Sequence, residues 1–220
     1  EPLPFQSSLE QYEKQADYLF ETCESGDSGL IRRIRQQHPL FLSLPESGEE
    51  MNKITLHEAR RIIALGYSFE NWDGLAQFAR EVTRLQSDAA RFESAVEAVI
   101  TGDAVILESL LQEHPELIRV RSMRKHRATL LHYAGANGVE GFRQKTPPNA
   151  VQMAQMLLKA GADVDAEANL YGRDTTLGLV ATSIHPVHAG VQIPLIECLL
   201  DAGADMDGGG GGSSVNSCLA

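Results

Sequence analysis

Short motifs return along this chain with their apolar neighbours in register, and that repetition limits the fold more than any other feature. Gly26-Asp27 followed by His38-Pro39 comes back as Gly102-Asp103 followed by His114-Pro115, each offset by 76 residues. Leu19, Phe20 and Cys23 correspond to Ala95, Val96 and Val99, while Leu30, Ile31 and Ile34 correspond to Ile106, Leu107 and Leu110. The i, i+1, i+4 spacing puts each set on one helical face. Glycine suits the left-handed residue that ends a helix, and the Asp after it caps the next one. Each block therefore reads as helix, Gly-Asp turn, second helix and His-Pro stop, an antiparallel helix pair. Such a pair hides only one face by itself, so neighbouring pairs must stack to make a core.

A third pair lies between the two copies. Thr55 and Glu58 form a capping-box pattern before Ala59, Ile62, Ile63 and Leu65, with Gly66 as the expected end. A second helix from about Trp72 carries Leu75, Phe78, Ala79 and Val82 at helical spacing. Pro45 to Glu50 reads as the loop before this pair.

The charge pattern excludes some partners. A net charge of −11 argues against general nucleic-acid or membrane-surface binding, and no run approaches the length of an apolar membrane span. Residues 91–118 hold one basic and six acidic side chains, whereas residues 119–148 hold seven basic and one acidic. One positive band thus sits inside an acidic chain. The three cysteines, Cys23, Cys198 and Cys218, are far apart on apolar stripes, so buried thiols in a reducing, cytoplasmic setting are expected rather than a disulfide or metal framework. Because the chain starts at Glu1, a removed export signal stays open at this stage.

From residue 128 the pattern sharpens. Thr129-Leu130-Leu131-His132-Tyr133-Ala134, a helix from Val151 to Ala160, and Gly161-Ala162-Asp163-Val164-Asp165-Ala166 resemble the ankyrin repeat. That family opens its first helix with T-P-L-H-x-A and follows its second with G-A-D-V-N-A. The pattern returns at Thr175 to Ala181, Ile193 to Ala202, and Gly203-Ala204-Asp205-Met206-Asp207. Leu130 and Thr176 replace the family's proline, Gly178 replaces its histidine, and the Gly-Ala-Asp elements stand 42 residues apart instead of about 33. Insertions near Glu140 to Asn149 and near His185 to Gln192 account for the excess. Gly66-Tyr67-Ser68-Phe69-Glu70-Asn71-Trp72-Asp73-Gly74-Leu75 further resembles an element of a bacterial group of ankyrin proteins, a likeness that implies no activity.

The resemblance implies an all-α solenoid of stacked antiparallel helix pairs with short hairpin fingers. Residues 1–87 would form an N-terminal helical region of two helix pairs, and residues 88–220 the ankyrin repeats. Ser213 to Cys218 aligns with the start of a further repeat and Gly208 to Gly212 with its hairpin tip, so a truncated last repeat is expected before Ala220. In this register, Gly161 or Gly203 should hold a positive φ.

Finger tips and first helices make the surface that ankyrin proteins use for binding. The first finger carries Arg119, Arg121, Arg124, Lys125 and Arg127 with no acid among them, suited to a partner's carboxylate or phosphate groups. The plainer alternatives are a solvated loop, or one paired with the acids of residues 91–118. The second candidate is the insertion Asn137 to Asn149, a long loop of the kind that often carries function. Here Glu140 and Arg143 have a local ion pair as their simpler account, and Asn149 is expected to cap the following helix. Tyr133, Asn137, Glu140, Arg143, Tyr171 and Arg173 complete the expected partner-binding set.

The remaining polar residues have simpler readings. His132 is expected to make structural hydrogen bonds. His185 and His188 flank Pro186, which argues for a loop and against a metal site. Phe69 and Trp72 are expected in the core. No catalytic grouping, metal site or cofactor motif stands out, so the expected function is a protein-interaction scaffold, with an acidic protein segment as partner. The alternative is a small-ligand or enzymatic role at loops 137–149 and 185–192.

Overall fold

The computed structural model describes residues 2–25 and 54–208. The expectations for Gly26 to Pro39, for Pro45 to Glu50 and for the segment from Gly209 onward, including Ser213 to Cys218, fall outside these residues. Among the described residues the chain folds into ten α-helices with no strand, so the protein is all-helical. It divides into two compact units, Glu1–Ala90 and Arg91–Ala220.

In the first unit, α1 (Leu9–Glu24) packs on α2 (Leu56–Gly66) and α3 (Trp72–Val82). The capping box at the start of α2 is in place. Glu58 N–H donates to Thr55 Oγ1 at 3.2 Å, and Thr55 N–H donates to the Glu58 carboxylate at 2.8 Å. Apolar residues at helical spacing are buried on each helix: Tyr12, Ala16, Leu19 and Cys23 on α1, Ile63 on α2, and Leu75 and Phe78 on α3, with the Tyr12 ring edge-on to Tyr67 at 5.0 Å. Gly66 ends α2 as expected, and the left-handed position after it is Ser68, with φ 64°. One expectation needs adjustment. Phe69 is in the core, 5.1 Å from the Phe78 ring, whereas Trp72 is half-buried beneath the Arg60 guanidinium.

The helix α4 (Asp88–Thr101) leads into the second unit, followed by α5 (Ala104–Glu113) and a 3-10 turn, Pro115–Arg119. The Gly-Asp turn behaves as its chemistry dictates: Gly102 takes φ 79°, and Asp103 Oδ1 accepts the Ile106 N–H at 3.0 Å. Leu107 is fully buried, but Ile106 is about half exposed and leaves the apolar stripe assigned to it. Then come α6 (Leu130–Ala134), a 3-10 turn Gly141–Arg143, α7 (Ala150–Lys159), α8 (Thr176–Thr182), α9 (Ile184–His188) and α10 (Gln192–Asp201).

The packing repeats itself. Helix α6 packs on α7 and α8 on α10; α6 also packs on α8, and α7 on both α5 and α10. First helices thus neighbour first helices, and second helices neighbour second helices. Gly161 and Gly203 hold φ 95° and 93° after α7 and α10, so both glycines meet the expected left-handed conformation. The loops they open are joined by Asp205 N–H donating to Asp165 Oδ1 at 2.9 Å.

Three local readings are corrected. The fingers are turns rather than two-stranded hairpins among the described residues, with one isolated antiparallel bridge, Ala168 to Asp174. Asn149 stands at the start of α7 without capping it; its Nδ2 donates to Gly102 O at 2.8 Å and ties two successive turns together. His185, Pro186 and His188 lie in the helical turn α9, where proline is tolerated because a first turn needs no N–H there.

Candidate functional site

The first finger alternates. Ser122, Arg124, His126 and Ala128 are buried, while Lys125 and Arg127 are exposed and Arg121 and Met123 are half-buried. The alternation is produced by a tight turn, in which Arg127 N–H donates to Arg124 O at 3.0 Å. Ser122 N–H donates to Ala128 O at 2.8 Å and closes the loop, and Arg127 turns it with φ 54°. A run of basic residues is therefore split by geometry, with Arg124 sent inward.

Arg124 enters a closed cluster of charges. Its Nη1 donates to Glu93 Oε1 at 2.5 Å, and its Nε is paired with Glu140 Oε1. Arg143 Nη1 donates to the other Glu93 oxygen, Oε2, at 2.5 Å, and its Nη2 reaches Glu97 Oε1 at 2.8 Å. The local pair foreseen between Glu140 and Arg143 is present at 3.6 Å. Tyr133 OH donates to Glu140 Oε1 at 3.4 Å, and the Tyr133 ring stands edge-on to His126 and Phe92. His126 Nδ1 accepts the Ala128 N–H at 3.1 Å, which leaves the ring proton on Nε2, 3.5 Å from Glu140 Oε2. Glu93, Arg124, Glu140 and Arg143 are each at most 2 % exposed, and Glu97 stands at the solvent edge.

Two guanidinium groups and two buried carboxylates balance one another, and that balance makes the cluster tolerable. Burial by itself pushes the Glu140 carboxyl up. The Arg124 guanidinium, the His126 N–H and Arg143 outweigh it and hold Glu140 well below the usual carboxylate range. Burial likewise opposes the charge on Arg124 and Arg143, but Glu140 and Glu93 raise both above the ordinary arginine value. The Tyr133 phenol is pushed far above its usual range by burial and by the Glu140 carboxylate. For Arg124, Glu140, Arg143 and Tyr133 each shift favours the form already present at neutral pH, and so moves none of the four toward acid or base work there.

The expected partner-binding residues thus separate into two sets. Arg124, Tyr133, Glu140 and Arg143 are brought together, but inside the protein, where a partner cannot touch them. The reason is Glu93: its buried carboxylate draws both guanidinium groups in. Arg119, Lys125, Arg127, Tyr171 and Arg173 are exposed. Arg121 has a bracing role, with Nη1 donating to Glu167 O at 2.6 Å and Arg127 O at 3.0 Å. Arg173 pairs with Glu167 at 2.5 Å. Asn137 is half-buried; its Oδ1 accepts from Tyr171 OH at 3.1 Å, and its Nδ2 donates to Thr182 Oγ1 at 2.9 Å.

The two finger tips are tied side by side. Asn169 N–H donates to His126 O at 2.7 Å, and Asn169 Nδ2 donates to Lys125 O at 3.0 Å. The second tip is held in an uncommon conformation, with φ 44°, 95° and 83° at Tyr171, Gly172 and Arg173. Glu93, Glu97, His126, Asn169 and Thr182 matter here and were not singled out from the sequence. Only Glu93 and Glu97 left a signal, as members of the acidic band before the basic finger.

His132 does what a structural histidine does. Its Nδ1 accepts the Thr129 N–H at 3.1 Å and lies 2.7 Å from Thr129 Oγ1. Burial, then the positive charge of Arg121, pull its pKa down to about 4, so the ring is neutral near pH 7. Among the described residues no group of histidine, cysteine and carboxylate side chains is arranged to hold a metal ion. Compared with known proteins, the chain matches no family model and no curated protein.

Proposed function

We propose that the unit from Arg91 onward is an ankyrin-type repeat scaffold that binds a protein partner and catalyses no reaction. The ankyrin reading is supported by the neutral His132 bonded to Thr129, by left-handed Gly161 and Gly203, and by like helices packed on like. The observation that carries the binding reading is the pair of joined finger tips. They present Lys125, Arg127, Tyr171 and Arg173 to solvent, while Arg124, Tyr133, Glu140 and Arg143 are sealed inside. An exposed tyrosine among cations is a good contact for a protein segment, since it offers apolar area with few rotors to freeze. Lys125, Arg127 and Arg173 outnumber Glu167, which pairs with Arg173, so the charge at the tips is positive and favours an acidic segment.

The alternative of a ligand or catalytic site in loop 137–149 gains no such support. Glu140 and Arg143, its strongest polar groups, are already satisfied by ion pairs within the fold.

Panning a displayed library of random peptides against the whole chain tests the proposal. Acid-rich peptides should be enriched, and their binding should be lost in a Lys125→Glu, Arg127→Glu, Arg173→Glu triple variant. Enrichment of peptides that bind this variant as well as the parent would overturn the assignment of the fingers. Failure to enrich any peptide would count against the scaffold reading itself.

A further inference from the structure

We propose that Asn137-Gly138 is a site of spontaneous deamidation, and that its conversion to an aspartyl or isoaspartyl residue loosens the second finger tip. The sequence singles out this bond. The chain has six asparagines, and those at 52, 71, 149, 169 and 216 are followed by Lys, Trp, Ala, Leu and Ser. Only Asn137 is followed by glycine, whose N–H is unhindered by a side chain. In the reaction the Gly138 nitrogen loses its proton and attacks Asn137 Cγ. The Cγ–Nδ2 bond breaks and ammonia leaves. Water then opens the five-membered imide at either carbonyl, giving the aspartyl or the isoaspartyl chain.

The surroundings permit the attack and give it consequences. Asn137 lies in a bend outside any helix, half-buried, where backbone can rotate. Gly138 takes φ 71°, and among the described residues no hydrogen bond engages its N–H. The Asn137 amide is also a hub between repeats: Oδ1 accepts from Tyr171 OH, and Nδ2 donates to Thr182 Oγ1 and, at 3.5 Å, to Leu179 O. A carboxylate has no N–H to give, so both donated bonds are lost and a negative charge faces the Leu179 carbonyl. The isoaspartyl form also inserts a carbon into the backbone beside Gly138. Gly138 lies close against the second tip, where even a Cβ would meet the Tyr171 ring at 2.9 Å, so a change in the backbone path here has little room to be absorbed. Tyr171, Gly172 and Arg173 all hold positive φ, and such a tip persists only while its neighbours over-determine it. Removing the Asn137 contact releases it.

The same hydrogen bonds set the rate. By engaging both ends of the amide they oppose the side-chain rotation that the attack requires, so the reaction should be slower in the folded chain than in an unfolded one.

Peptide mapping by mass spectrometry during incubation of the whole chain at mildly alkaline pH tests this. Asn137 should convert well ahead of Asn71, Asn149 and Asn169, and Tyr171→Phe and Thr182→Val should each raise its rate several-fold. Both substitutions are at exposed side chains, so the fold survives them. In Asn137→Asp, hydrogen exchange at the Arg173 and Asp174 amides, both of which donate to Leu170 O, should quicken by about tenfold, the loss expected of one or two hydrogen bonds. Conversion at Asn137 no faster than at Asn71, or a rate unchanged in both variants, would overturn the site. Unchanged exchange in Asn137→Asp would overturn its link to the finger tip.

Discussion

The two repeats that begin at Thr129 and Thr175 use one plan with different chemistry. Each opens its first helix with a threonine, packs it on a ten-residue second helix, and leaves that helix through a left-handed glycine. In the first, His132 sits three residues into the helix and bonds back to Thr129; in the second the position is Gly178, whose N–H reaches Thr175 Oγ1 at 3.5 Å. The first repeat fastens its insertion with buried charge, through Glu140 and Arg143. The second fastens its own with neutral hydrogen bonds. Gln192 Nε2 donates to the Val180 and Ala181 carbonyls, and Ser183 Oγ donates to Ala136 O at 3.0 Å. The lesson is that a repeat fixes where an insertion enters and leaves, but not what holds it.

The largest test of this contrast is the charge cluster. Glu140→Ala leaves two buried guanidinium groups short of a carboxylate, which costs about 3–5 kcal/mol. Gln192→Ala in the second repeat forfeits neutral bonds to carbonyls and costs about 1 kcal/mol. Urea unfolding of both variants measures the difference, and equal losses would erase the distinction drawn between the repeats.

The histidine gives the next effect. The folded pKa of His132, about 4, lies below the ordinary value of about 6.5, so protons favour the unfolded chain. Its stabilisation is complete above about pH 6.5 and is lost as pH falls through about 4, with a full size of about 3 kcal/mol. Glu140, held below the usual carboxylate range, keeps its charge through this window. Stability of the parent chain should therefore drop from neutral to mildly acidic pH more than that of His132→Gln. Parallel pH curves for the two would remove His132 from the account.

The smallest effect concerns the helix starts. Thr129→Ala disconnects the His132 ring and should cost about 2 kcal/mol, while Thr175→Ala removes one long bond and should cost about 0.5 kcal/mol. Thermal or urea midpoints rank them, and the reverse order would mean that the histidine does not strengthen the first cap.

Much of the helical layout was legible because its causes are local. The Thr55 and Glu58 capping box, the Gly102-Asp103 turn and the two left-handed glycines each depend on residues within a few positions. The local pair of Glu140 and Arg143 was legible for the same reason. Where local rules failed, a distant partner had intervened. Asn149 gives its amide to Gly102, 47 residues away, instead of capping its own helix. Of the basic run read as a partner-binding finger, Arg124 turns inward, and five basic residues spread over residues 119–127 give no sign of which ones will do so.

By itself, then, the sequence determined most of the longer helices and the Gly turns between them, because period, capping and left-handed glycines are short-range properties. The tertiary structure alone decided which charges are buried. Glu93 meets Arg124 across 31 positions and Arg143 across 50, and no spacing rule predicts contacts that only stacking creates. It also decided that Asn137 and Tyr171, 34 positions apart, share a hydrogen bond. Burial turns the first meeting into a structural clamp, and exposure leaves the second accessible to water and partners.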